Sequence, residues 1–379
     1  MDKIVLVGLI YETNLGDQAI FKCTNQIVKE WGERNGGIRI DSIDLYGRTV
    51  ARQPNHLVAR LKNIYKKKFP IERRLIKAVN RIIDTDVRGI IFIGGGLIKF
   101  QFQFLSQPIS YILQYSKKYG IPVMFSAVGI EGFDEQMQEC KQLIHDINNS
   151  NVKVFTTRDD IKLLNHRIIY NKSILTGLVA DPACEIAEYF VGGKKEKKRV
   201  GLNICRRRLF SDYGNKVDAK YLIDMWVELY ILLEKKGYKP FLFTNGSSPD
   251  YQFAKKIAKE LIKNGCDANI ELIPNNVETL AFFISKCCGI IATRLHASII
   301  AYSYNVPSIG FVWNKKQKMF GEIIGYPERF FAIDRYDIEE VVALFEKAMD
   351  EEYNTEKKKA YINSTKVYLN RFMDEFIYS

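Results

Sequence analysis

The sequence lacks the features that would assign it to several common classes of protein. No apolar run approaches the roughly 18 residues that a membrane-spanning helix needs, and the opening residues, MDKIVLVGLI, lack the basic-then-apolar order of a signal peptide. The 7 cysteines form no Cys-x-x-Cys pair, and the 4 histidines show no spacing typical of zinc ligands. We therefore expect a cytoplasmic protein with reduced thiols and without a metal site.

Acidic residues are in the minority, with 44 Asp and Glu against 56 Lys and Arg, a formal net charge of +12. This balance favours anionic partners. The stretch 57–82 holds 9 Lys or Arg and 1 Glu, interleaved with apolar residues. This pattern is typical of a segment that binds an anionic membrane surface, and equally of a solvated basic helical hairpin. No recognised RNA-binding motif accompanies it, so we expect no nucleic-acid partner.

The order of strand and helix patterns predicts two α/β domains. At 379 residues the chain is too long for one compact core, and short apolar strands alternate with amphipathic helices in both halves. The polar stretch GGKKEKKR (192–199) interrupts this pattern and is typical of a linker. The sequence predicts Rossmann-like domains over 1–192 and 198–350 with doubly wound parallel sheets, followed by a helical tail over 351–379.

Loops at the carboxyl ends of parallel strands are where such sheets bind ligands. Three early segments lie there: YETNLGDQAI (11–20), IGGGLIKF (93–100) and FTTRDD (155–160). Each also has an ordinary structural explanation: a turn with an aspartate helix cap, a tight glycine turn, and an ion pair of Arg158 with Asp159 or Asp160. None of the three indicates a ligand by itself.

The most informative segment is IIATRLHASIIA (290–301), in which a buried strand leads to Arg294, Leu295 and His296. Arg294 offers a planar fork for a phosphate or a carboxylate, and the amides that begin the next helix attract anions. His296 is the only histidine in such a position; a buried histidine bonded to the backbone is the structural alternative. Lys315, Lys316 and Lys318 follow the next strand, and one of them is expected to complete an anion site.

Taken together, these motifs resemble the polysaccharide pyruvyl transferase family. The segments that carry the resemblance are, in chain order, N-L-G-D-Q-A-I, the triple glycine, S-A-V-G-I, T-x-R-D, A-D-P, T-R-L-H-A and W-N-K-K-Q-K-M-F. The resemblance runs from about residue 4 to about residue 325, which is most of the chain. It implies a glycosyltransferase-B-like pair of domains with the active site in the cleft between them. It also implies phosphoenolpyruvate as donor and no other cofactor.

The resemblance also assigns roles to residues. By their motifs, Arg158, Arg294, Leu295, His296 and Lys316 match donor-binding positions. The predicted substrate-binding loops of the first domain are represented by Asn14, Gly16, Asp17, Gly94, Gly95 and Gly96. Lys315 stands where the family pattern has proline, which leaves the identity of the functional lysine open.

The implied reaction is the transfer of pyruvate to a sugar as a cyclic ketal, with release of phosphate. The expected acceptor is a surface polysaccharide or its lipid-linked precursor, at the inner face of a bacterial membrane. His296 is expected to move protons, with Arg294 and Lys316 stabilising the phosphate; a purely donor-binding His296 is the alternative. Two other functions remain open: a nucleotide-sugar glycosyltransferase of the same fold, and a non-enzymatic sugar- or phosphate-binding scaffold.

Overall fold

The computed structural model describes residues 2–49, 71–99, 105–131, 134, 136–268, 270, 274–334 and 337–378. The chain forms two compact units. Unit 1 consists of Met1–Thr13, Asp17–Pro182 and Lys359–Ser379, and unit 2 consists of Asn14–Gly16 and Ala183–Lys358. The polar stretch 192–199 therefore lies within unit 2, and the last helix of the chain returns to unit 1.

The described residues of unit 1 form a six-stranded parallel sheet in the order β2-β1-β3-β4-β5-β6. Its strands are β1 (Lys3–Gly8), β2 (Arg39–Asp44), β3 (Val87–Lys99), β4 (Val123–Glu131), β5 (Val152–Thr157) and β6 (Leu175–Leu178). The helices that connect them are α1 (Leu15–Arg34), α2 (Ile71–Ile82), α3 (Ser106–Tyr119), α4 (Gln138–Asn149) and α5 (Ile161–Leu163). The reversal of strand order between β1 and β3 creates the crevice at which such sheets bind ligands.

The core of unit 1 is built on strands that are apolar along their whole length, as expected where helices cover both faces of a sheet. Phe92, Phe125 and Phe155 lie opposite one another on β3, β4 and β5. Their rings stack at centroid distances of 4.5 Å for both neighbouring pairs. Stacked aromatic pairs add about 0.5–1.5 kcal/mol beyond the apolar area that they bury. This stack fixes the register of the three strands.

The tight turn expected at Gly94, Gly95 and Gly96 is not formed, because all three residues lie inside β3. The pairing of β3 with β4 shifts between Gly95 and Ile98, and Gly95 has a φ of 77°. This left-handed conformation is one that glycine adopts without strain. A Cβ at Gly94 would lie 2.8 Å from Cγ2 of Ile20 on α1. The glycines therefore allow an irregular strand and a closely packed helix.

The described residues of unit 2 form a five-stranded parallel sheet in the order β11-β10-β9-β7-β8. The strands are β7 (Arg199–Asn203), β8 (Lys239–Phe243), β9 (Gly289–Ala292), β10 (Ser308–Val312) and β11 (Phe330–Ala332). The helices are α6 (Ile186–Tyr189), α7 (Arg207–Asp212), α8 (Ala219–Lys235), α9 (Ser248–Lys263), α10 (Val277–Ser285), α11 (Leu295–Ser303), α12 (Lys315–Ile324) and α13 (Ile338–Asp350). Here strand order reverses between β7 and β9.

Helix α8 illustrates why these segments fold as they do. Asp218 caps the helix by accepting a hydrogen bond of 2.7 Å from the Tyr221 amide, a contact that typically contributes about 1 kcal/mol. Its buried residues recur at helical spacing: Leu222, Met225, Trp226, Val227, Leu229, Tyr230 and Leu233. The periodicity in the sequence is thus the periodicity of burial against the sheet.

The last helix, α14 (Thr355–Phe376), packs on unit 1 from Lys359 onward. Thr365 donates a hydrogen bond of 2.5 Å to the Ala180 carbonyl, and the Trp31 indole donates one of 2.7 Å to Asp374. Within the described ranges, no helix is both long enough and apolar enough to span a membrane.

Candidate active site

The carboxyl edge of the unit 2 sheet is organised around Asn203, the last residue of β7. Its side-chain amide donates to Oδ1 of Asn245, which follows β8, at 2.9 Å. Its own Oδ1 accepts the Arg294 amide, which follows β9, at 3.1 Å. Its carbonyl accepts the Thr293 hydroxyl at 2.6 Å. One fully buried side chain therefore joins the loops that follow three neighbouring strands, at the reversal point of the sheet.

Arg294 occupies the cap position of α11, and its guanidinium is bound by the carboxylate of Asp250. Its Nε donates to Oδ2 of Asp250 at 3.0 Å, and its Nη2 contacts the same oxygen. Asp250 lies in the first turn of α9 and is fully buried, whereas 15% of the Arg294 side chain is exposed. The guanidinium is thus fixed in orientation by a carboxylate behind it, and still reaches the surface. This arrangement suits recognition of an anion.

Cys205, which lies near Arg294 and Asp250, is unsuited to be a nucleophile. Burial raises the pKa of its thiol to about 12, although the positive charge of Arg294 opposes the shift. A thiol with this pKa is almost entirely protonated near neutral pH. The reactive groups of this sheet edge are therefore its nitrogen bases and cations.

His296 lies in the first turn of α11 with 7% of its surface exposed. A Cβ at Gly16 would overlap the imidazole at Cγ and Nδ1, so this glycine permits the close approach of the chain to the ring. The neighbouring Leu15 amide donates to the Asn245 carbonyl at 2.9 Å. These contacts explain why Asn14–Gly16 belongs to unit 2 although it follows the first strand of unit 1.

The three lysines after β10 differ in burial. Lys315 and Lys318 are exposed, and Lys318 pairs with Glu322 at 3.7 Å, whereas Lys316 is only 9% exposed. The start of α12 is tied to the Arg294 loop, because Gln317 Nε2 and Trp313 Nε1 both donate to the Thr293 carbonyl, at 3.0 and 2.5 Å. Lys316 is therefore the lysine of this group that the fold buries beside that loop.

In unit 1 the structure brings together Asp17, Gly95, Arg158 and Asp181. The Arg158 side chain is 6% exposed and forms an ion pair with Asp181. A Cβ at Gly95 would lie 3.2 Å from Oδ1 of Asp17, so the bulged strand and the first turn of α1 meet here. Because the strands of this sheet are parallel, the segments at their carboxyl ends bring these residues to one edge.

Carboxylate groups outnumber the guanidinium at Arg158. Burial by itself lowers the pKa of its guanidinium, but Asp181, Asp159 and Asp17 raise it above its ordinary value. Asp159 is itself buried, accepting the Ile130 amide at 3.1 Å and the Thr157 hydroxyl at 2.8 Å. Arg158 thus forms a structural ion pair with Asp181, 23 positions along the chain, whereas the sequence suggested the neighbouring Asp159 or Asp160 as partner.

Asn203, Asn245 and Asp250 are site residues that motif reading missed. Each lies at or just after the carboxyl end of β7 or β8, in NICR (203–206) and TNGSSPD (244–250). The signal in the sequence that could have identified these three residues was their position after predicted strands. Neither segment stands out by composition, since Asn, Gly, Ser and Asp are ordinary residues of turns. Within the described ranges, no group of three or more His, Cys, Asp or Glu side chains is placed to hold a metal ion.

Solved structures with a similar fold define the class of the molecule. A UDP-GlcNAc 2-epimerase from Methanocaldococcus jannaschii has a TM-score of 0.59 at 11% identity, covering 99% of this chain and 100% of that one. A putative UDP-N-acetylglucosamine 2-epimerase from Listeria monocytogenes has a TM-score of 0.61 at 10% identity, covering 100% and 97%. This similarity confirms the predicted α/β fold of two Rossmann-like, glycosyltransferase-B-like units.

The family follows from the sequence. The family model described as "Polysaccharide pyruvyl transferase" matches residues 14–315. The chain therefore belongs to the polysaccharide pyruvyl transferase family, as the motifs predict, and is an enzyme that transfers pyruvate. Among curated proteins, no sequence matches it significantly.

Proposed function

We propose that this enzyme transfers the pyruvate unit of phosphoenolpyruvate to two hydroxyl groups of a sugar, forming a cyclic ketal and releasing phosphate. The observation that carries the proposal is the position of Arg294 and His296 at the start of α11, at the reversal point of the unit 2 sheet. Lys316 is buried at the start of α12, which Gln317 ties to the Arg294 loop by a hydrogen bond of 3.0 Å to the Thr293 carbonyl. The reaction needs no redox group, and we propose that it uses no further cofactor.

The donor is an anion with a phosphate and a carboxylate, so its site needs fixed cations. Arg294 offers a guanidinium held by Asp250, and we propose that the buried Lys316, at the start of the helix tied to the Arg294 loop, adds a point charge. Helix-start amides are oriented toward anions and add to this potential. These groups stabilise charge that accumulates on the phosphate as its bond to C2 breaks.

The chemistry requires three proton transfers. In the first step, a proton is added to the methylene carbon C3 while one sugar hydroxyl attacks C2 and loses its own proton to a base. In the second, another hydroxyl attacks C2 and loses its proton to the base, the C2–O bond to phosphate breaks, and phosphate leaves with the electron pair. His296 is the imidazole at the start of α11 and is proposed as the acid and base. Its burial against Gly16 would hold the ring in one position.

Arg158 stays a prediction from the family motif rather than part of this unit 2 site. It lies in unit 1, ion-paired with Asp181 and surrounded by further carboxylates. We propose that Asp17 and the glycines of β3 in unit 1, together with Asn14 of unit 2, serve the sugar acceptor. The acceptor is proposed to be a polysaccharide or its lipid-linked precursor.

A basic helix supports the proposal that the acceptor is associated with a membrane. Residues 57–70 lie outside the described part of the chain, but α2 (Ile71–Ile82) carries Arg73, Arg74, Lys77 and Arg81 on its exposed positions. Clusters of this kind bind anionic lipid at about 1 kcal/mol per cation. Liposome sedimentation tests this part of the proposal: equal binding to neutral and anionic vesicles would refute it.

The central experiment measures phosphate release from phosphoenolpyruvate with a panel of sugars and lipid-linked sugars. We expect release that depends on an acceptor, and a loss of at least about 100-fold in Arg294→Gln. Lys318→Gln, which changes an exposed lysine of the same segment, is the matched control and should keep full activity. A thermal-shift panel with uridine and cytidine nucleotide sugars tests the rival function. Stabilisation by those ligands, without acceptor-dependent phosphate release, would replace pyruvyl transfer by glycosyl transfer.

A further inference from the structure

Asp250 binds a second arginine in addition to Arg294. Its Oδ1 accepts the Arg206 amide and the Arg206 Nη1, both at 3.1 Å, while Oδ2 accepts the guanidinium of Arg294. Arg206 follows β7 and its Nη1 also donates to Ser247 Oγ at 3.3 Å. Arginines from the loops after β7 and β9 thus share one carboxylate from the loop after β8.

The charge of this triad is unbalanced. Two guanidinium groups share one carboxylate, which leaves an excess of one positive charge. Two like charges held on one acid repel each other, and such an arrangement is stabilised when an anion joins it. The Arg158–Asp181 pair in unit 1 provides the contrast, because there the carboxylates outnumber the guanidinium. A triad in which two guanidinium groups share one carboxylate is suited to bind an anion.

The exposures of the three side chains place the cations in front of the acid. Asp250 is 0% exposed, Arg294 is 15% exposed and Arg206 is 32% exposed. A ligand that approaches from solvent therefore meets the guanidinium groups and not the carboxylate. Each guanidinium is oriented by hydrogen bonds to Asp250, so the pair is organised before the ligand arrives.

We infer that Arg206 binds the phosphate group of the substrate together with Arg294, and that Asp250 is the positioning residue for both. This inference rests on the proposed function and extends it to residues outside the family motifs named above. Because both guanidinium groups share the single charge of Asp250, the pair keeps a positive charge for a phosphate anion. Phosphate could belong to the donor or to a lipid diphosphate of the acceptor, and kinetics can distinguish these sources.

The first measurement is the affinity of the protein for inorganic phosphate, determined by calorimetry. Arg206→Gln should weaken it roughly 10- to 100-fold, which is typical for the loss of a charge-assisted hydrogen bond. Arg206→Lys keeps the charge without the fork and should recover part of the loss. Arg208→Gln is the matched control, since Arg208 is 83% exposed and lies two residues along the chain. It should bind phosphate as the wild type does.

The second measurement separates the two phosphate sources. With acceptor present, Arg206→Gln should raise the KM for phosphoenolpyruvate roughly 10- to 100-fold and leave the acceptor KM unchanged. Asp250→Asn should raise the same KM and also lower kcat, because it releases both arginines. A rise in the acceptor KM alone would overturn the assignment to the donor.

Unchanged phosphate affinity in a folded Arg206→Gln variant would overturn the inference altogether. The phosphate titration does not depend on turnover. If the wild type binds phosphate but consumes no phosphoenolpyruvate with any acceptor, the proposed function fails while the titration still decides the role of Arg206. Circular dichroism of each variant establishes that it is folded; should Asp250→Asn fail to fold, the Arg206 variants suffice.

Discussion

Replacing Gly16 by alanine tests whether the position of His296 matters for the reaction. Gly16 lies in the first turn of α1, where alanine is otherwise a favourable residue. Its added Cβ would overlap three atoms of the His296 side chain, Cβ, Cγ and Nδ1, well inside van der Waals contact. The imidazole must therefore move, or the chain at Leu15–Gly16 must move away from Asn245.

The expected size of the effect follows from this overlap. Carbon atoms pack at about 3.5–4.0 Å, so relief of the overlap requires a displacement on the order of 1 Å. Overpacking of this kind costs about 1–3 kcal/mol of stability. A displacement of ~1 Å in a reacting group can reduce the rate about 100-fold. We therefore expect a modestly destabilised protein with a kcat reduced about 100-fold.

The assay is acceptor-dependent phosphate release, with thermal unfolding measured in parallel. Gly177→Ala is the matched control, because a Cβ there would overlap the ring of Tyr368 in unit 1. Both variants should lose stability to a similar extent, while only Gly16→Ala should lose most of its kcat. A Gly16→Ala enzyme that keeps wild-type kcat would refute the argument that His296 must be held in one position. Equal losses of kcat in both variants would attribute the effect to stability alone.

Three further predictions concern buried ionisable groups. Asp181→Asn should destabilise the protein by about 1–3 kcal/mol, because it removes a buried ion-pair partner of Arg158 while Asp159 and Asp17 still offset part of the charge. Burial lowers the pKa of the Lys358 amine from its ordinary value of 10.5 to about 8, so between those pH values the unfolded chain binds more protons. Lys358 should then add to the free energy of unfolding a contribution that rises with pH by at most about 1.4 kcal/mol per unit, and Lys358→Met should remove this contribution, which appears as a difference between the two pH profiles. Cys205 should resist iodoacetamide at pH 8 in the folded protein, because burial raises its pKa to about 12.

Each of these predictions has a clear contrary result. Chemical denaturation of Asp181→Asn with an unchanged midpoint would show that the ion pair contributes nothing. Identical pH profiles for wild type and Lys358→Met, measured between pH 8 and 9.5 so that tyrosine ionisation does not interfere, would contradict the lowered pKa. Alkylation of Cys205 at the rate seen in denaturant would contradict its burial.

Local patterns in the sequence determined the fold class and the core of the site. Apolar strands alternating with amphipathic helices specify parallel sheets, and strand ends locate the residues that face a ligand. Arg294 and His296 were identifiable because charged and imidazole side chains are rarely placed in an otherwise apolar segment unless they have a partner. The order of the motifs was sufficient to predict the family.

Other local patterns allowed more than one structure. A triple glycine after an apolar strand suits a turn, yet Gly95 forms a bulge within β3, because pairing with β4 continues beyond it. Among the three lysines after β10, the family motif pointed to Lys316 but left the choice open, and packing distinguishes Lys316 by burying it. Such alternatives differ in the contacts that a segment makes with distant residues. The local propensity of the segment carries no information about those contacts.

Only the tertiary structure decided the partners of the site residues. Asp250 precedes Arg294 by 44 positions and Asn203 precedes it by 91, yet both bond to it. Gly16 contacts His296 although most of the chain separates them. The physical reason is that parallel strands bring their carboxyl ends together whatever the length of chain between them. The sequence determined which loops meet at the sheet edge, and the packed fold decided which side chains bind one another there.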